Sequence, residues 1–300
     1  GGRRRTRRCT PSFRRGLSSP TSARQRGRSE NVERLDTALV ARGLARSRTH
    51  AAKLIAAGVV TVDGQGAVRA SARVAETAVL EVAASDHYVS RAAHKLVAAL
   101  DGFDVDVAGR LALDMGASTG GFTQVLRERG AGPVIAVDVG HEQLASEIRA
   151  DDGVIAVEGY NVRYMTPETL AEVSGIAAAP TVVTGDLSFI SLGLVLPAVK
   201  AVAAPGADIV LLVKPQFEVG RTAVKGGLVT NDNLRADAVA GVLWSAWDAG
   251  LGTVGVLPSP IVGTHGNAEF LVHLRDIDAP GARNPTEWLS VVDALTKGAT

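Results

Sequence analysis

Residues 111–122 constrain the fold of this chain more than any other stretch. Three apolar residues run into Asp114, glycines follow at positions 116, 120 and 121, and an amphipathic segment begins at Phe122. This order predicts a buried strand, a tight turn and the start of a helix. Glycine permits positive φ and lets a ligand lie against bare backbone, while the first N–H groups of the helix point at that ligand. The stretch therefore predicts an α/β fold with a nucleotide-like ligand at the turn.

The spacing Asp-x-Gly-x-x-x-Gly-Gly narrows the choice of ligand. It matches neither the Gly-x-Gly-x-x-Gly fingerprint of dinucleotide-binding proteins nor the P-loop of nucleoside triphosphatases. It resembles the S-adenosylmethionine loop of class I methyltransferases. That resemblance assigns cofactor contacts to Asp114, Gly116, Ser118, Gly120, Gly121 and Phe122.

Downstream strands supply further candidate cofactor contacts at their ends. Asp138 ends the second predicted strand, 24 residues after Asp114, where a carboxylate binds ribose hydroxyls. Asn161 follows the third strand, among polar groups suited to the adenine, and Asp186 follows the fourth. A lone aspartate at a strand end is usually a turn former or helix cap. Its recurrence on neighbouring strands favours a binding site, since the fold brings these ends together.

The chain from residue 110 onward alternates strands with helices, which predicts a mostly parallel sheet with helices on both faces. We predict strands at 110–116, 133–139, 153–158, 180–186, 207–214, 253–258 and 269–275, and helices at 120–130, 141–149, 166–173, 190–203 and 233–249. The last strand follows its predecessor after a short loop, so it should insert antiparallel. The prediction is a Rossmann-like, class I methyltransferase domain with a seven-stranded sheet, preceded by a small α+β domain.

Composition excludes several classes of protein. The longest uncharged apolar run, near residues 187–199, is too short for a membrane span and contains Pro197. The single cysteine, Cys9, excludes an internal disulfide framework and a cysteine-based zinc site. It also leaves no core thiolate for methylation at carbon five of a base. We expect a cytoplasmic protein without a metal site or a membrane span. We also expect a monomer.

Residues 1–30 form an arginine-rich tail, with ten arginines and no acid before Glu30, which leaves −9 for residues 30–300. Such a composition predicts disorder, because it cannot bury enough apolar surface to offset chain entropy. Two interpretations remain open. The tail is a nucleic-acid-binding arm, or it is a cloning remnant or over-extended start.

The sequence of residues 31–84 predicts a small basic domain. Two short helices, with Ser47 capping the second, precede short strands and an Asp63-Gly64 hairpin turn. The predicted phosphate-binding residues are Arg34, Arg42, Arg46, Arg48 and Lys53. The arrangement resembles the ribosomal-protein S-four-type RNA-binding module. A solvated basic face on an unrelated helical hairpin is the alternative.

A lysine follows the fifth predicted strand, which is unusual after five buried apolar residues. Lys214 in this place is costly unless it is paired or functional. Asp186, at the neighbouring strand end, is a sensible ion-pair partner, and a purely structural salt bridge is the alternative. Lys95, in the helix before the first strand, and Glu269, which opens the last strand, complete a candidate catalytic set.

Collinear motifs identify the chain by resemblance as a member of the TlyA family. They are Ser90-Arg-Ala-Ala-His-Lys-Leu96, the loop 114–122, Gly185-Asp-Leu-Ser-Phe-Ile-Ser191, Leu212-Val-Lys-Pro-Gln-Phe-Glu218 and Gly266-Asn-Ala-Glu-Phe270. The resemblance implies S-adenosylmethionine-dependent 2′-O-methylation of cytidine in ribosomal RNA, with Lys95, Asp186, Lys214 and Glu269 as catalytic residues. Ribosomal subunits are the expected partner.

The same resemblance divides the chain into a linker at 85–90, a methyltransferase domain at 91–276 and a tail at 277–300. Arg91 and a basic, glycine-rich loop that contains Arg221 and Lys225 are predicted to face RNA. Two alternatives stay open. One is an RNA-binding or ribosome-assembly factor without catalysis; the other, suggested only by the family's historical label, is a membrane-active hemolysin, for which the sequence has no amphipathic cationic helix.

Overall fold

A computed structural model describes residues 32–45, 47–56, 59–66, 69–82, 87–220, 226–263 and 266–297. The chain divides into two compact units, Gly1–Ser85 and Asp86–Thr300. The arginine-rich tail predicted at 1–30 lies outside the described residues. Within the described part of the chain, no helix has the length and apolarity that crossing a membrane requires.

The first unit combines two helices with short strands. Its elements are β1 (Val32–Arg34), α1 (Leu35–Ala41), α2 (Arg48–Ala56), β2 (Val60–Val62), β3 (Gln65–Gly66), β4 (Arg73–Ala75) and β5 (Leu80–Val82). Strand β1 pairs with β4, and β2 lies between β3 and β5, all antiparallel. As predicted, Ser47 Oγ caps α2 by accepting the His50 N–H at 3.1 Å, and Asp63 and Gly64 turn the chain with positive φ.

The second unit contains the strand and helix alternation. Its elements are α3 (Ala93–Phe103), β6 (Ala112–Met115), α4 (Gly121–Glu128), β7 (Val134–Val137), α5 (Ser146–Arg149), β8 (Val154–Val157), α6 (Pro167–Ser174), β9 (Val182–Gly185), α7 (Leu196–Val202), β10 (Asp208–Val213), α8 (Pro215–Glu218), α9 (Asp232–Asp248), β11 (Leu251–Pro258), β12 (Phe270–Asp276) and α10 (Leu289–Lys297). Each of the seven predicted strands overlaps one of these strands.

The strands of the second unit form one sheet in the order β11-β12-β10-β9-β6-β7-β8. Strand β12 is antiparallel to both of its neighbours, while the pairs from β10 to β8 are parallel. The predicted sheet, mostly parallel with an antiparallel last strand, is confirmed. The order reverses between β6 and β9, and ligands of open α/β sheets gather at the carboxyl ends of the strands near such a reversal.

Both faces of this sheet are buried. Alternate residues of a strand point to opposite faces, so Leu113 packs with α7 and α9, whereas Ala112 packs with α3 and α4. Helices on both sides explain why the central strands are continuously apolar rather than alternating. Polar side chains that could bind a ligand are therefore expected at the ends of the strands.

Two helices are shorter than predicted. Helix α7 begins only at Leu196, after a 3-10 turn at Leu192–Leu194, because Pro197 is tolerated in the first helical turn and not further inside. The segment 141–145 is irregular because Glu142 has a positive φ and its N–H donates to the Glu158 carboxylate.

The structure adds detail at the two ends of the second unit. The segment 277–300, predicted as a tail, contains α10, which packs on α9 through Val292; Trp288 and Leu295 join the same core at helical spacing. In the predicted linker, the Val89 N–H donates to Gln124 of α4 at 2.8 Å. This part of the linker therefore belongs to the second unit.

Candidate active site

Four charged residues meet at one edge of the sheet. Asp186 follows β9 and Lys214 follows β10, so both stand at carboxyl ends of parallel strands. Glu269 precedes β12, and because β12 is antiparallel its beginning lies at this same edge. Lys95 reaches them from α3. The fold thus gathers the four predicted catalytic positions, which are 174 residues apart at the extremes.

The four side chains form a chain of ion pairs. Lys214 Nζ lies 2.6 Å from Asp186 Oδ1, and Lys95 Nζ lies 2.6 Å from Glu269 Oε2 and 3.5 Å from Asp186 Oδ2. Lys95, Lys214 and Glu269 are each less than a tenth exposed. Two ammonium groups and two carboxylates balance, so the cluster meets the requirement that buried charges be paired. The predicted Lys214–Asp186 pair is present.

Beneath this cluster, Asp114 is fully buried at the end of β6. Its carboxylate accepts hydrogen bonds from Thr123 Oγ1 at 2.7 Å and Thr184 Oγ1 at 3.1 Å. Burial raises the pKa of Asp114 to about 6, against the two hydrogen bonds, which lower it. Asp114 lines neither cavity described below. Its side chain holds the glycine-rich loop to β9 from inside.

A large cavity of about 770 Å³ opens beyond the ends of β6, β7 and β8. Its lining includes the predicted cofactor positions Gly116, Ser118, Asp138, Asn161 and Asp186. The Asp138 carboxylate accepts the N–H groups of Ser118 at 2.8 Å and Gly140 at 2.7 Å. A Cβ on Gly116 would come within 3.2 Å of the Asp186 carbonyl oxygen. This cavity has the size of a small-molecule site.

A second cavity of about 240 Å³ lies beside the four charged residues. It is bordered by Lys95, Lys214, Glu269 and Asp186, together with the predicted positions Gly121 and Phe122 of the glycine-rich loop. The two cavities share four lining residues. These are Gly116, Ser118, Asp186 and Ser188. The cavities therefore adjoin at Asp186, one member of the charged cluster.

Gly120 is another predicted cofactor position that faces neither cavity. It has φ +97°, and a Cβ there would meet Leu144 and Ile148 at 3.0 Å. Because Gly120 has no side chain, the loop can pack closely against α5. The sequence pattern alone does not distinguish a glycine that meets a ligand from one that meets a neighbouring helix.

Sequence reasoning missed three residues at this site. Ser188 Oγ accepts a hydrogen bond from Lys214 Nζ at 2.7 Å. Phe189 is 91% exposed on the wall of the large cavity. Glu218 accepts hydrogen bonds from Ser191 Oγ at 2.6 Å and the Leu192 N–H at 2.9 Å, and burial raises its pKa. The available signal was their position within the motifs that contain Asp186 and Lys214.

The predicted RNA-binding positions of the first unit have partners inside that unit. Arg34 and Arg48 both pair with the buried Asp36, at 2.9 and 3.0 Å, and they hold its pKa well below the ordinary value. Arg42 donates to the carbonyl oxygens of residues 75, 76 and 78. Lys53 is exposed. These arginines therefore contribute to the fold of the unit, whatever else they contact.

In the second unit, Arg91 is exposed and borders the small cavity. The remaining predicted RNA-binding residues, Arg46, Arg221 and Lys225, lie outside the described residues. Arg91 is thus the predicted RNA contact that the described structure places beside the charged cluster.

The strand order, the glycine-rich loop after β6 and the acidic ends of β7 and β9 define a Rossmann-like methyltransferase fold of class I. The chain belongs to the FtsJ-like methyltransferase family, whose model matches residues 88–276, and an S4 domain matches residues 33–80.

Among similar proteins, the 16S/23S rRNA (cytidine-2′-O)-methyltransferase TlyA of Mycobacterium tuberculosis is 50% identical, over 81% of this chain and 89% of its own length. Hemolysin A of Brachyspira hyodysenteriae is 36% identical, over 80% and 98%. A solved structure named as a hemolysin from Streptococcus thermophilus has a TM-score of 0.69 at 36% identity and covers 90% of this chain and 96% of that one.

Proposed function

We propose that this protein transfers a methyl group from S-adenosylmethionine to the ribose 2′-oxygen of a cytidine in ribosomal RNA. The observation that carries the proposal is the cluster of Lys95, Asp186, Lys214 and Glu269 at the junction of two cavities. One cavity suits a nucleoside-like methyl donor, and the other admits a hydroxyl to the cluster. The half-identical M. tuberculosis relative, which carries this activity in its name, supports the choice of substrate.

The large cavity suits S-adenosylmethionine, which supplies an electrophilic methyl group when bound. Asp138 would accept the ribose hydroxyls, since its carboxylate is already held in place by two backbone N–H groups. Gly116 borders this cavity with φ +77°, and a Cβ there would crowd Leu187 and the Asp186 carbonyl oxygen, so glycine lets the loop lie close to the segment that follows β9. Asn161 and Tyr160 border the same cavity, where the base would lie.

Lys214 is the residue that would hold the 2′-hydroxyl. Its side-chain nitrogen pairs with Asp186 and donates a hydrogen bond to Ser188, which places it as a hydrogen-bond donor rather than as a proton acceptor. Its role is then to donate a hydrogen bond and to stabilise the negative charge that develops on the 2′-oxygen, while the proton leaves to solvent. Preorganised donors of this kind account for roughly a hundredfold to a thousandfold in rate.

Lys95 would act within the cluster rather than on a phosphate. Its ammonium is buried and lies between Glu269 and Asp186. It stabilises Asp186 from the side opposite Lys214, so that Asp186 can be shared by both cations. Arg91, exposed at the rim of the small cavity, is the better candidate for a phosphate next to the target ribose.

The target base needs a surface beside the cavities, and Phe189 supplies one. An exposed aromatic ring is the usual stacking partner of an unstacked RNA base. The S4 domain and the basic residues of the first unit would add contacts that do not depend on the target base.

The test is transfer of tritium from labelled S-adenosylmethionine into ribosomal subunits, followed by mapping of the labelled nucleotide. Wild type should label a cytidine ribose. Lys214→Ala should lose roughly a hundredfold to a thousandfold in kcat, because the donor to the 2′-oxygen is gone, while the dissociation constant for S-adenosylmethionine changes less than about threefold.

The matched control is Lys200→Ala. Lys200 is also a paired lysine, but its partner is Asp276 and it borders neither cavity. Transfer should remain at the wild-type rate. Retained turnover in Lys214→Ala would refute the assignment of Lys214, and label in a base rather than a ribose would refute the proposed reaction. Binding of subunits without any transfer would support an RNA-binding factor instead.

A further inference from the structure

The two lysines of the cluster have different surroundings. Lys95 Nζ faces two carboxylates, those of Glu269 and Asp186. Lys214 Nζ faces one carboxylate, Asp186 at 2.6 Å, and one neutral hydroxyl, Ser188 Oγ at 2.7 Å. A hydroxyl accepts a hydrogen bond without cancelling charge. Lys214 therefore keeps more of its positive charge for a third partner.

An ammonium group carries three N–H donors. At Lys214 one of them is donated to Ser188 Oγ, while the contact with Asp186 Oδ1 is an ion pair without hydrogen-bond geometry. The ion pair holds the nitrogen in place, and the hydrogen bond to Ser188 fixes the rotation of the ammonium, so the directions of the other two N–H groups are set. With Asp186 alone the ammonium would rotate about its own axis.

Ser188 is in the right place to connect this ammonium with a ligand. It is exposed, and it borders both cavities together with Asp186. It is two residues beyond Asp186 on the segment that follows β9. The ion-pair partner and the hydrogen-bond acceptor of Lys214 thus come from one short segment, and the direction of the ammonium depends on how firmly that segment is held.

The segment 186–192 is held at both ends by residues that flank α8. Lys214, just before α8, binds Asp186 and Ser188, while Glu218, the last residue of α8, accepts hydrogen bonds from Ser191 and Leu192. Between these contacts Phe189 has φ +65°. A bulky residue in this left-handed region is strained, and such strain persists only where the surroundings fix it.

We infer that Ser188 is a positioning residue for methyl transfer: its hydroxyl fixes the ammonium of Lys214 so that one N–H is directed at the ribose 2′-oxygen. This inference rests on the proposed function. It assigns Ser188 no proton transfer and no bond to the methyl group. The contribution is to the turnover step, because the orientation matters most when charge develops on the oxygen.

The test is steady-state methyl transfer by Ser188→Ala and Ser188→Thr, with ribosomal subunits as substrate. Ser188→Ala should lower kcat roughly tenfold to a hundredfold, while KM for the subunits and the dissociation constant for S-adenosylmethionine stay within about twofold. Ser188→Thr keeps the hydroxyl and should recover at least a third of the wild-type kcat. A merely structural role would shift the thermal midpoint and not split kcat from KM.

Two further variants make the outcome decisive. Ser245→Ala removes a serine hydroxyl on α9 that donates to the Gly241 carbonyl and borders neither cavity, so kcat should be unchanged. In single-turnover measurements, Ser188→Ala should add less than about twofold to the loss in Lys214→Ala, because Ser188 acts through that lysine.

The inference is overturned if Ser188→Ala keeps wild-type kcat, or if the Ala and Thr variants lose kcat equally. Wild-type transfer together with either result would leave the proposed function standing and remove only the role of Ser188. Absence of transfer by wild type would instead contradict the proposed function itself.

Discussion

Strands β10 and β12 carry a charged cluster at each end of the sheet, and the two clusters differ in what surrounds them. At one end, Asp208 opens β10 and its carboxylate accepts hydrogen bonds from Arg110 at 2.7 Å, His273 at 2.8 Å and Arg275 at 2.7 Å. At the other end lie Lys95, Asp186, Lys214 and Glu269. Asp208 borders neither of the two cavities. All four residues of the second cluster border the small cavity, and Asp186 also borders the large one.

The difference offers a criterion that separates a structural cluster of charges from a candidate catalytic one. Around Asp208 the donors converge on a single carboxylate, so its hydrogen-bonding capacity is used within the protein. In the candidate active site, Lys214 donates one hydrogen bond within the described part of the chain, to Ser188, and its remaining N–H groups are available at a cavity. Buried charge by itself indicates neither role. Unused hydrogen-bonding capacity that faces open space is the better indicator.

The largest effect that would test this contrast is expected for Asp186→Asn. Both lysines contact this carboxylate, so its loss leaves two ammonium groups facing each other with only Glu269 to balance them. We expect methyl transfer to fall by at least about a thousandfold, measured as tritium incorporation into subunits. If Asp186→Asn kept more than a tenth of wild-type transfer, the second cluster would be no more catalytic than the first.

A smaller effect, on stability rather than on transfer, is expected for Asp208→Asn. The variant leaves Arg110 and Arg275 without their carboxylate, which costs about 3 kcal/mol in free energy of unfolding. Unfolding can be followed by tryptophan fluorescence, because all three tryptophans belong to the second unit. The kcat of the folded protein should stay within about twofold of wild type.

The Asp208 cluster should also make the difference in unfolding free energy between wild type and Asp208→Asn depend on pH. Its donors hold the pKa of Asp208 well below the ordinary value, so the carboxylate stabilises the folded state above a pH of about 4 and loses this contribution as the pH falls. The gap between wild type and Asp208→Asn should therefore narrow in acid. A gap that stays constant down to pH 3 would contradict this account.

The smallest effect is expected for Asp114→Asn, beneath the candidate catalytic cluster. Because burial raises the pKa of Asp114 to about 6, the folded protein holds a proton between pH 4 and 6 that the unfolded chain has released. The free energy of unfolding of the wild type should therefore fall as the pH rises from 4 to 6, by on the order of 2 kcal/mol, since one pKa unit corresponds to about 1.4 kcal/mol. Asp114→Asn should lack this fall. Parallel stability curves for both proteins would show that Asp114 is ionised throughout.

Much of the fold was predictable because its signals are local. Alternating strand and helix patterns predicted the seven strands, and the Asp63-Gly64 turn was readable from residues that accept positive φ. Helix α10 was missed, although Trp288, Val292 and Leu295 repeat at helical spacing, because a short amphipathic helix near the end of a chain resembles a polar tail until the surface that it covers is known.

The charged residues of the candidate site were predictable for a similar reason. A lysine after an apolar strand is costly, and an aspartate at the next strand end offers a partner, so Lys214 and Asp186 could be chosen from sequence. Ser188 carries no such cost, and serine is common after strands. Neither Ser188 nor Glu218 could be selected before the contacts to Lys214 and Ser191 were known.

The sequence by itself determined the layers of this protein, the order of its elements and the family of its reaction centre, because periodicity, glycine spacing and the cost of buried charge act over short distances or through invariable rules of sheet geometry. Tertiary structure alone decided which polar groups have spare capacity. It directed the carboxylate of Asp114 to two threonines and turned Gly120 toward a helix, and among the described residues it gave Lys214 a single hydrogen-bond acceptor, Ser188. The reason is physical: whether a donor is satisfied depends on atoms that are distant in the chain and that only folding brings within 3 Å.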